Sequence, residues 1–338
     1  MSRFLRWLFA TALLCLTLSS PAIAQEWTVA AEPVVLEDAP PLVPEDWERV
    51  SAVYLEVYGS SDSLPVLLEL SRHGSRSLPA LAELLGVAIG RTVHVVVAPT
   101  QQAFFDLQPG SAPEWADGTA YPSLGHIFLR RPGIRGPQRP LQVVFDHELV
   151  HVLLGRAFAP QHPPRWLQEG VAQVFAGEYG PDTTREIARG AAGPGLYTLE
   201  QLTLGFPSDP RSAQLAYAQS ADFVSWMRAE YGDEALREVV HQMRGGADVR
   251  GAIRAATGVF LEDVDALWRG RVERGSSDLW LSVFSTGDIW WAMAALFAAV
   301  GLLIARWRIR RRMAAMARQE RMRDALLRAL WHRDDPLG

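Results

Sequence analysis

The stretch "DHELVHVLLG", residues 146–155, decides the fold prediction because it places His147 and His151 four residues apart, with Glu148 beside the first. Positions i and i+4 of an α-helix lie on one face, so the two imidazoles would point together. Two imidazoles at this separation can share a zinc ion, and Glu148, one position round the helix, is placed to act as a general base rather than a ligand. The alternative is a buried helix that carries two histidines by chance.

The longer segment PLQVVFDHELVHVLLG, residues 140–155, predicts the helix itself. Phe145, Leu149 and Leu153 lie on roughly the opposite face from the histidines, so they are expected to pack into the core. Gly155 is the predicted C-terminal stop of this helix.

A second segment, PPRWLQEGVAQVFAGE at residues 163–178, supplies a third candidate ligand. Its two prolines open a predicted helix and Gly177 closes it. Glu169 lies 18 residues after His151, which is far enough for the chain to turn and run a second helix back beside the first. By itself Glu169 could be a surface residue of an amphipathic helix, but the two upstream histidines favour a ligand.

H-E-L-V-H followed by W-L-Q-E-G-V-A resembles the gluzincin metallopeptidases, most closely the peptidase MA-like domains of bacterial exported proteins. The second motif is also similar to the zinc-binding helix of the alanyl-aminopeptidase family. The resemblance covers roughly residues 50–270. It implies a zinc cofactor held by His147, His151 and Glu169, with Glu148 as the catalytic base.

A third segment, AYAQSADFVSWM at residues 216–227, resembles the part of these families that carries a tyrosine pointing at the zinc. This resemblance implies that Tyr217 donates a hydrogen bond to the oxyanion of the tetrahedral intermediate. The alternative for Tyr217 is a core tyrosine at the start of a packed helix.

The sequence departs from these families at two places. The alanyl-aminopeptidases carry a G-x-M-E-N strand that grips the free amine of the substrate, but LGHIFLRR at 124–131 has no such Glu, so aminopeptidase activity is not implied. Many gluzincins also carry an acid four positions after the ligand Glu, which orients a histidine ligand. Gln173 occupies that position, and Asp146 is a second candidate for the orienting role.

The pattern before and after these motifs predicts an α+β fold, a zincin-like domain with a small mixed sheet followed by helices. The strand 123–131 is predicted to lie at the edge beside the cleft, with His126 on it as a solvent or structural histidine, and to pair with an extended peptide. Loops are predicted at 109–122 and 132–140. The other predicted elements are strands at 51–60 and 92–99 and a helix within 63–87. After the loop 132–140 the pattern predicts helices to about residue 275.

Both ends of the chain carry patterns typical of export and anchoring. Residues 1–24 have a positive start, an apolar core and the Ala-Ile-Ala pattern of a secretory signal. Residues 289–305 are uncharged and apolar, and five Arg follow within 306–312, which predicts a membrane helix with its C-terminal side in the cytoplasm. The predicted order is a signal peptide (1–24), an extended linker (25–47), a catalytic domain (48–275), a juxtamembrane segment (276–287), a transmembrane helix (288–307) and a basic cytoplasmic tail (308–338).

Composition excludes some classes of protein and partner. The chain contains no lysine among its 33 basic residues, which we interpret as the codon bias of a GC-rich bacterial genome. The formal net charge is −5, but residues 25–305 carry −13, which argues against nucleic acid as a partner because phosphate binding needs clustered positive charge. The single cysteine, Cys15, excludes a disulfide framework and a cysteine metal site.

The sequence therefore predicts a membrane-anchored zinc metallopeptidase of a bacterial cell membrane, with a peptide or protein substrate and its catalytic domain periplasmic or extracellular. The alternative is a non-enzymatic, membrane-tethered binding domain. Glu148 argues against this alternative, since a structural zinc site requires ligands but no base. A third, weaker hypothesis is a signalling protein whose output lies in the basic tail, which could also lie on anionic lipid or dock a partner.

Overall fold

The structure is a computed structural model, and it describes residues 39–114, 116–134, 139–193, 195–285 and 287–331. The predicted signal peptide, the linker up to residue 38 and the end of the tail from residue 332 lie outside the described residues. The elements are β1 (Glu48–Ala52), β2 (Leu55–Gly59), a 3₁₀ turn (Ser61–Ser63), α1 (Leu64–Leu85), β3 (Val93–Ala98), α2 (Gln101–Asp106), β4 (Gly118–Tyr121), β5 (His126–Arg130), α3 (Leu141–Phe158), α4 (Arg165–Phe175), α5 (Pro181–Ala192), α6 (Leu199–Leu204), α7 (Pro210–Arg244), α8 (Val249–Thr257), α9 (Leu261–Ser285) and α10 (Gly287–Trp331).

The strands of the described residues form one five-stranded sheet in the order β1-β2-β3-β5-β4. The inner pairs β2–β3 and β3–β5 are parallel, whereas the outer pairs β1–β2 and β5–β4 are antiparallel. From α3 onward the chain is helical. This arrangement confirms the predicted α+β class, with a small mixed sheet first and helices after it.

The strand boundaries of the sheet differ from the sequence prediction at two places. The predicted strand 51–60 is a hairpin, β1–β2, that turns at Val53 and Tyr54, and Tyr54 has a left-handed φ of 60°. A continuous alternation of apolar and polar residues conceals such a turn, because no Gly, Asn or Asp marks it. The predicted loop 109–122 also contains β4, whose GTAY sequence is too short to show a period of two.

The strand predicted at 123–131 forms as β5, but its predicted edge position is wrong, because β5 lies between β3 and β4 and the edge on this side is β4. His126 consequently lies beside His94 in the β3–β5 register rather than beside a cleft. It is buried, and its Nε2–H donates to the carbonyl oxygen of Ala39 at 2.7 Å. His126 is thus a structural histidine on the outer face of the sheet, and burial lowers its pKa.

Both faces of the sheet are covered, which is why the central strand β3, VHVVVA, is buried at every position. One face packs against the helices in the main core, to which Phe145, Leu149 and Leu153 of α3 contribute fully buried side chains, as predicted. On the other face, Val43 and Trp47 pack against a small cluster of buried side chains. The last residues of the predicted linker, as far as the structure describes them, therefore cover this second face of the sheet.

The two motif-bearing helices form largely as predicted. α3 continues through Gly155, so the predicted stop there is wrong: a Cβ atom at Gly155 would lie 2.3 Å from the Cβ of Pro122, and the glycine serves this close contact with the β4–β5 turn. α4 ends as predicted at Gly177, which has a φ of 77°. The amide of Glu178 then donates to the carbonyl of Gln173 at 2.8 Å, the pattern of a Schellman turn.

Helix α4 approaches the backbone of α7 at Gly170, directly after Glu169. A Cβ atom at Gly170 would lie 2.3 Å from the carbonyl oxygen of Ser220. Because a backbone carbonyl inside a helix cannot move away cheaply, only glycine fits at this crossing. The Gly of the W-L-Q-E-G-V-A motif therefore has a packing role, and it fixes the depth at which Glu169 enters the domain.

The chain divides into two compact units, with the boundary between Glu273 and Arg274. In the second unit, α10 (Gly287–Trp331) contains the predicted membrane span 288–307 and most of the basic tail. Within this predicted span, the side chains of residues 288–293 and 295 lie outside the described ones. Among the helices, as far as they are described, none is both long enough and apolar enough to cross a membrane.

We predict that Gly170→Ala lowers the free energy of unfolding by about 1–3 kcal/mol, because the added methyl group overpacks the α4–α7 crossing. Chemical denaturation of the full-length protein, followed by circular dichroism, measures the change. Gly180→Ala is the matched control, since its Cβ would meet nothing within 4 Å and its φ of −169° is open to any residue. Equal stability of the two variants would contradict the tight crossing.

Candidate metal centre

Three side chains predicted to bind a metal ion meet between α3 and α4. The Nε2 atoms of His147 and His151 lie 3.1 Å apart. The Oε2 atom of Glu169 lies 3.7 Å from each of these two nitrogens. In the part of the chain that the structure describes, this is the one cluster of at least three His, Cys, Asp or Glu side chains whose ligand atoms are close enough to hold a metal ion.

The three atoms fit a zinc ion by distance and by chemistry. In a tetrahedral site with bonds of about 2.0–2.2 Å, neighbouring ligand atoms are separated by roughly 3.3–3.6 Å. The observed separations of 3.1 and 3.7 Å lie close to this interval. Two imidazoles and one carboxylate also form a donor set found in catalytic zinc sites, which leaves a fourth position for water or substrate.

The electrostatics of the cluster also suit a cation. Burial lowers the pKa of His151 to about 4, so its imidazole is neutral near pH 7 and keeps a lone pair for a metal. Burial opposes a charge on His147, but Glu169 and Glu178 raise its pKa to about 10. Burial likewise disfavours the Glu169 carboxylate, but the contact with His147 lowers its pKa to about 2. A metal ion bound between these atoms would displace the proton from His147.

Glu148 lies beside the cluster in a tight, buried position. Burial raises its pKa to about 7, a value at which a carboxylate can both accept and return a proton near neutral pH. A Cβ atom on Gly118 would lie 3.0 Å from Oε1 of Glu148, so β4 runs directly against this side chain. Glycine at the first position of β4 therefore makes the room that Glu148 occupies.

Tyr217 reaches the site through Arg165, which the sequence did not single out. The guanidinium of Arg165 donates to Oη of Tyr217 at 2.6 Å, and its Nε lies 3.7 Å from Oε1 of Glu169. Burial and the charge of Glu169 raise the pKa of Tyr217 to about 12, so the phenol keeps its proton. Because its oxygen accepts from Arg165, its own hydrogen is free to point elsewhere.

Neither predicted orienting residue touches a histidine ligand. The Gln173 amide donates to the backbone carbonyl of Tyr217 at 3.3 Å, and Asp146 accepts from Nε2 of His73 at 2.8 Å. The acid that does contact a ligand is Glu178, whose Oε1 lies 3.1 Å from Nδ1 of His147. Helical spacing could not reveal Glu178, because it lies beyond the end of α4; the only sequence signal was Gly177, which turns the chain back.

The mixed sheet-and-helix domain with its His-His-Glu cluster is consistent with a zincin-like fold, and comparison identifies the family. A family model described as the Peptidase MA superfamily matches residues 74–274, more than half of the chain. The protein therefore belongs to the peptidase MA superfamily, which confirms the resemblance to peptidase MA-like domains. A comparison with curated proteins found no match.

We predict that the full-length protein binds one zinc ion per chain and that His151→Ala or Glu169→Ala removes this binding, because each change deletes one of three ligand atoms. Metal analysis after dialysis against a weak chelator measures the stoichiometry. His241→Ala is the control, since His241 is an exposed histidine of α7. Zinc retained at full stoichiometry by both ligand variants would exclude this cluster as the metal site.

Proposed function

We propose that the protein is a membrane-anchored zinc metallopeptidase that hydrolyses peptide bonds outside the cytoplasm. One observation carries the proposal: the buried Glu148 directly follows His147 on α3, and its carboxyl group interacts electrostatically with His147 and Glu169 of the three-residue cluster, in a domain of the peptidase MA superfamily. A structural metal site needs only ligands, whereas hydrolysis also needs a base. Glu148 supplies the group that a binding domain would lack.

We assign a role to each side chain from its place in the site and from the resemblance to gluzincin metallopeptidases. His147, His151 and Glu169 would hold the zinc ion, which as a Lewis acid lowers the pKa of a coordinated water and polarises a carbonyl. Glu148 takes a proton from the attacking water and returns it to the leaving amine. Tyr217, with its oxygen held by Arg165, donates its free hydrogen to the oxyanion that forms on the substrate carbonyl.

The edge strand β4 is the proposed binding surface for the substrate, in place of the strand predicted from the sequence. Within the described residues, no strand pairs with the outer edge of β4. An extended peptide can add to such an edge through its main-chain hydrogen bonds. Since Gly118 of β4 abuts Glu148, a peptide paired there would pass the catalytic base.

Membrane anchoring and export rest on sequence alone. The uncharged run 289–305 would span about 25 Å as a helix, which lies at the short end for a bilayer crossing. Five Arg within 306–312 favour a cytoplasmic position for the following residues, and residues 1–24 have the parts of a secretory signal. We propose from these patterns that the peptidase domain lies in the periplasm or outside the cell.

We predict that Glu148→Gln lowers the rate of peptide hydrolysis at least about 100-fold, because a positioned base typically contributes 10²–10⁴-fold. The variant should still bind one zinc ion, since Glu148 is not among the ligand atoms. A peptide library incubated with the full-length protein and analysed by mass spectrometry measures cleavage. Asp146→Asn is the control on the same helix, because Asp146 contacts His73 rather than a ligand. Full zinc loading of the wild-type protein with no cleavage of any peptide would favour the binding domain instead.

We predict that a reagent impermeant to the inner membrane labels Ser61→Cys in intact cells and labels Ala314→Cys only after lysis. Both side chains are exposed, and they lie before and after the proposed span. Each variant also carries Cys15→Ser, so that the introduced thiol is the only one. Equal labelling of both sites in intact cells would contradict a single span at 288–307.

A further inference from the structure

The carboxylate that lies closest to Nδ1 of His147 belongs to a residue in a turn and not in a helix. Glu178 follows Gly177, and its Oε1 lies 3.1 Å from Nδ1 of His147 while its Oε2 lies 2.8 Å from Nη1 of Arg139. Its side chain is only 4% exposed. We propose that Glu178, held by Arg139, is a positioning residue that orients His147 and strengthens metal binding; this rests on the zinc-binding part of the proposed function.

The two nitrogens of His147 have separate surroundings, which fix the role of each. Nε2 faces His151 and Glu169 at 3.1 and 3.7 Å, so it is the ligand atom. A ring that binds a metal through Nε2 carries its proton on Nδ1, and that proton faces the Glu178 carboxylate. A carboxylate there favours the tautomer that binds metal and makes the imidazole a stronger donor.

The burial of Glu178 is costly and calls for a functional reason. Nδ1 of His147 and both oxygens of Glu178 are buried and have no well-aligned hydrogen bond, although their ion-pair partners lie 3.1 and 2.8 Å away. Fold stability alone does not favour such an arrangement, since a buried carboxylate pays a desolvation penalty that imperfect partners do not fully offset. The protein keeps the acid where it can act on a metal ligand.

The backbone around Glu178 is fixed on both sides, so its carboxylate is preorganised. Before it, the Schellman turn joins its amide to the carbonyl of Gln173 at 2.8 Å. After it, the hydroxyl of Tyr179 donates to Asp222 at 2.8 Å, and Trp268 donates to the same carboxylate at 2.7 Å. Asp222 is buried on α7, the helix that Gly170 of α4 also contacts. The turn that carries Glu178 is therefore held against the core by α7.

Three variants of the full-length protein test the proposal through zinc affinity, measured by competition with a chromophoric chelator. Loss of an outer contact to a histidine ligand typically weakens metal binding 10–100-fold, and we expect this range for Glu178→Ala. Glu178→Gln keeps an acceptor oxygen and should weaken binding less. Arg139→Met should also weaken it less, because it removes only the restraint on Glu178. Glu186→Gln, a buried acid of α5 that pairs with Arg189, is the control and should bind zinc as the wild type does.

A second readout separates positioning from a structural role. At the same free zinc concentration, zinc should raise the melting temperature of Glu178→Gln less than that of the wild type, because ligand-induced stabilisation falls as affinity falls. A purely structural role would lower the metal-free and the zinc-loaded melting temperatures by the same amount. Wild-type zinc affinity in both Glu178 variants, or an equal zinc-induced rise in melting temperature for Glu178→Gln and the wild type, would overturn the proposal. A wild-type protein that binds zinc but cleaves no peptide would refute the proposed function and leave this inference standing, whereas a wild-type protein that binds no zinc would overturn both.

Discussion

The close crossing of α4 over α7 at Gly170 is the contact on which the metal centre depends. Glu169 can reach His147 and His151 only if α4 lies deep in the domain, and the 2.3 Å from an added Cβ to the Ser220 carbonyl shows how little space remains. The histidines are placed independently, since α3 is anchored through its apolar face in the main core. Three donor atoms from two helices therefore meet because each helix is positioned by packing and not by the atoms themselves.

The metal centre brings several ionisable side chains together away from solvent, an arrangement that does not by itself favour folding. Glu148 is buried and Glu169 and Glu178 are largely shielded from solvent within one region, and this disfavours the charged form of each carboxylate. Two protonatable imidazoles and the guanidiniums of Arg139 and Arg165 partly offset this cost. A divalent cation would offset it further, because it interacts with all the surrounding carboxylates at once. Concentrated charge with incomplete pairing is typical of a site kept for chemistry.

The sequence predicted the parts of this site that obey helical periodicity. A spacing of four predicts that His147 and His151 share one face of a helix. The opposite face must be buried, and it carries Phe145, Leu149 and Leu153. The fold class followed from the order of strands and helices. Tyr217 came from a resemblance, and the structure brings it near the cluster through Arg165.

What the sequence did not predict depends on tertiary contacts. β4 has four residues, too few for a period of two to emerge, so the sequence pattern predicts the edge at its neighbour β5. Gly155 looks like a helix stop, but it is a point of contact with Pro122. In both cases the local signal was compatible with more than one structure, and the packing of distant segments decided between them.

Glu178 shows how a chemical requirement can be met from an unexpected position. A histidine ligand needs an acceptor at its far nitrogen, and an acid one helical turn after the ligand Glu is one way to supply it. At that position Gln173 turns instead to the backbone of Tyr217. The Schellman turn at Gly177 returns the chain towards α3 and brings the next residue to the same nitrogen. The histidine needs an acceptor oxygen at one position in space, whatever its position in the sequence. A residue beyond the end of the helix can therefore supply it as well as a residue on the helix.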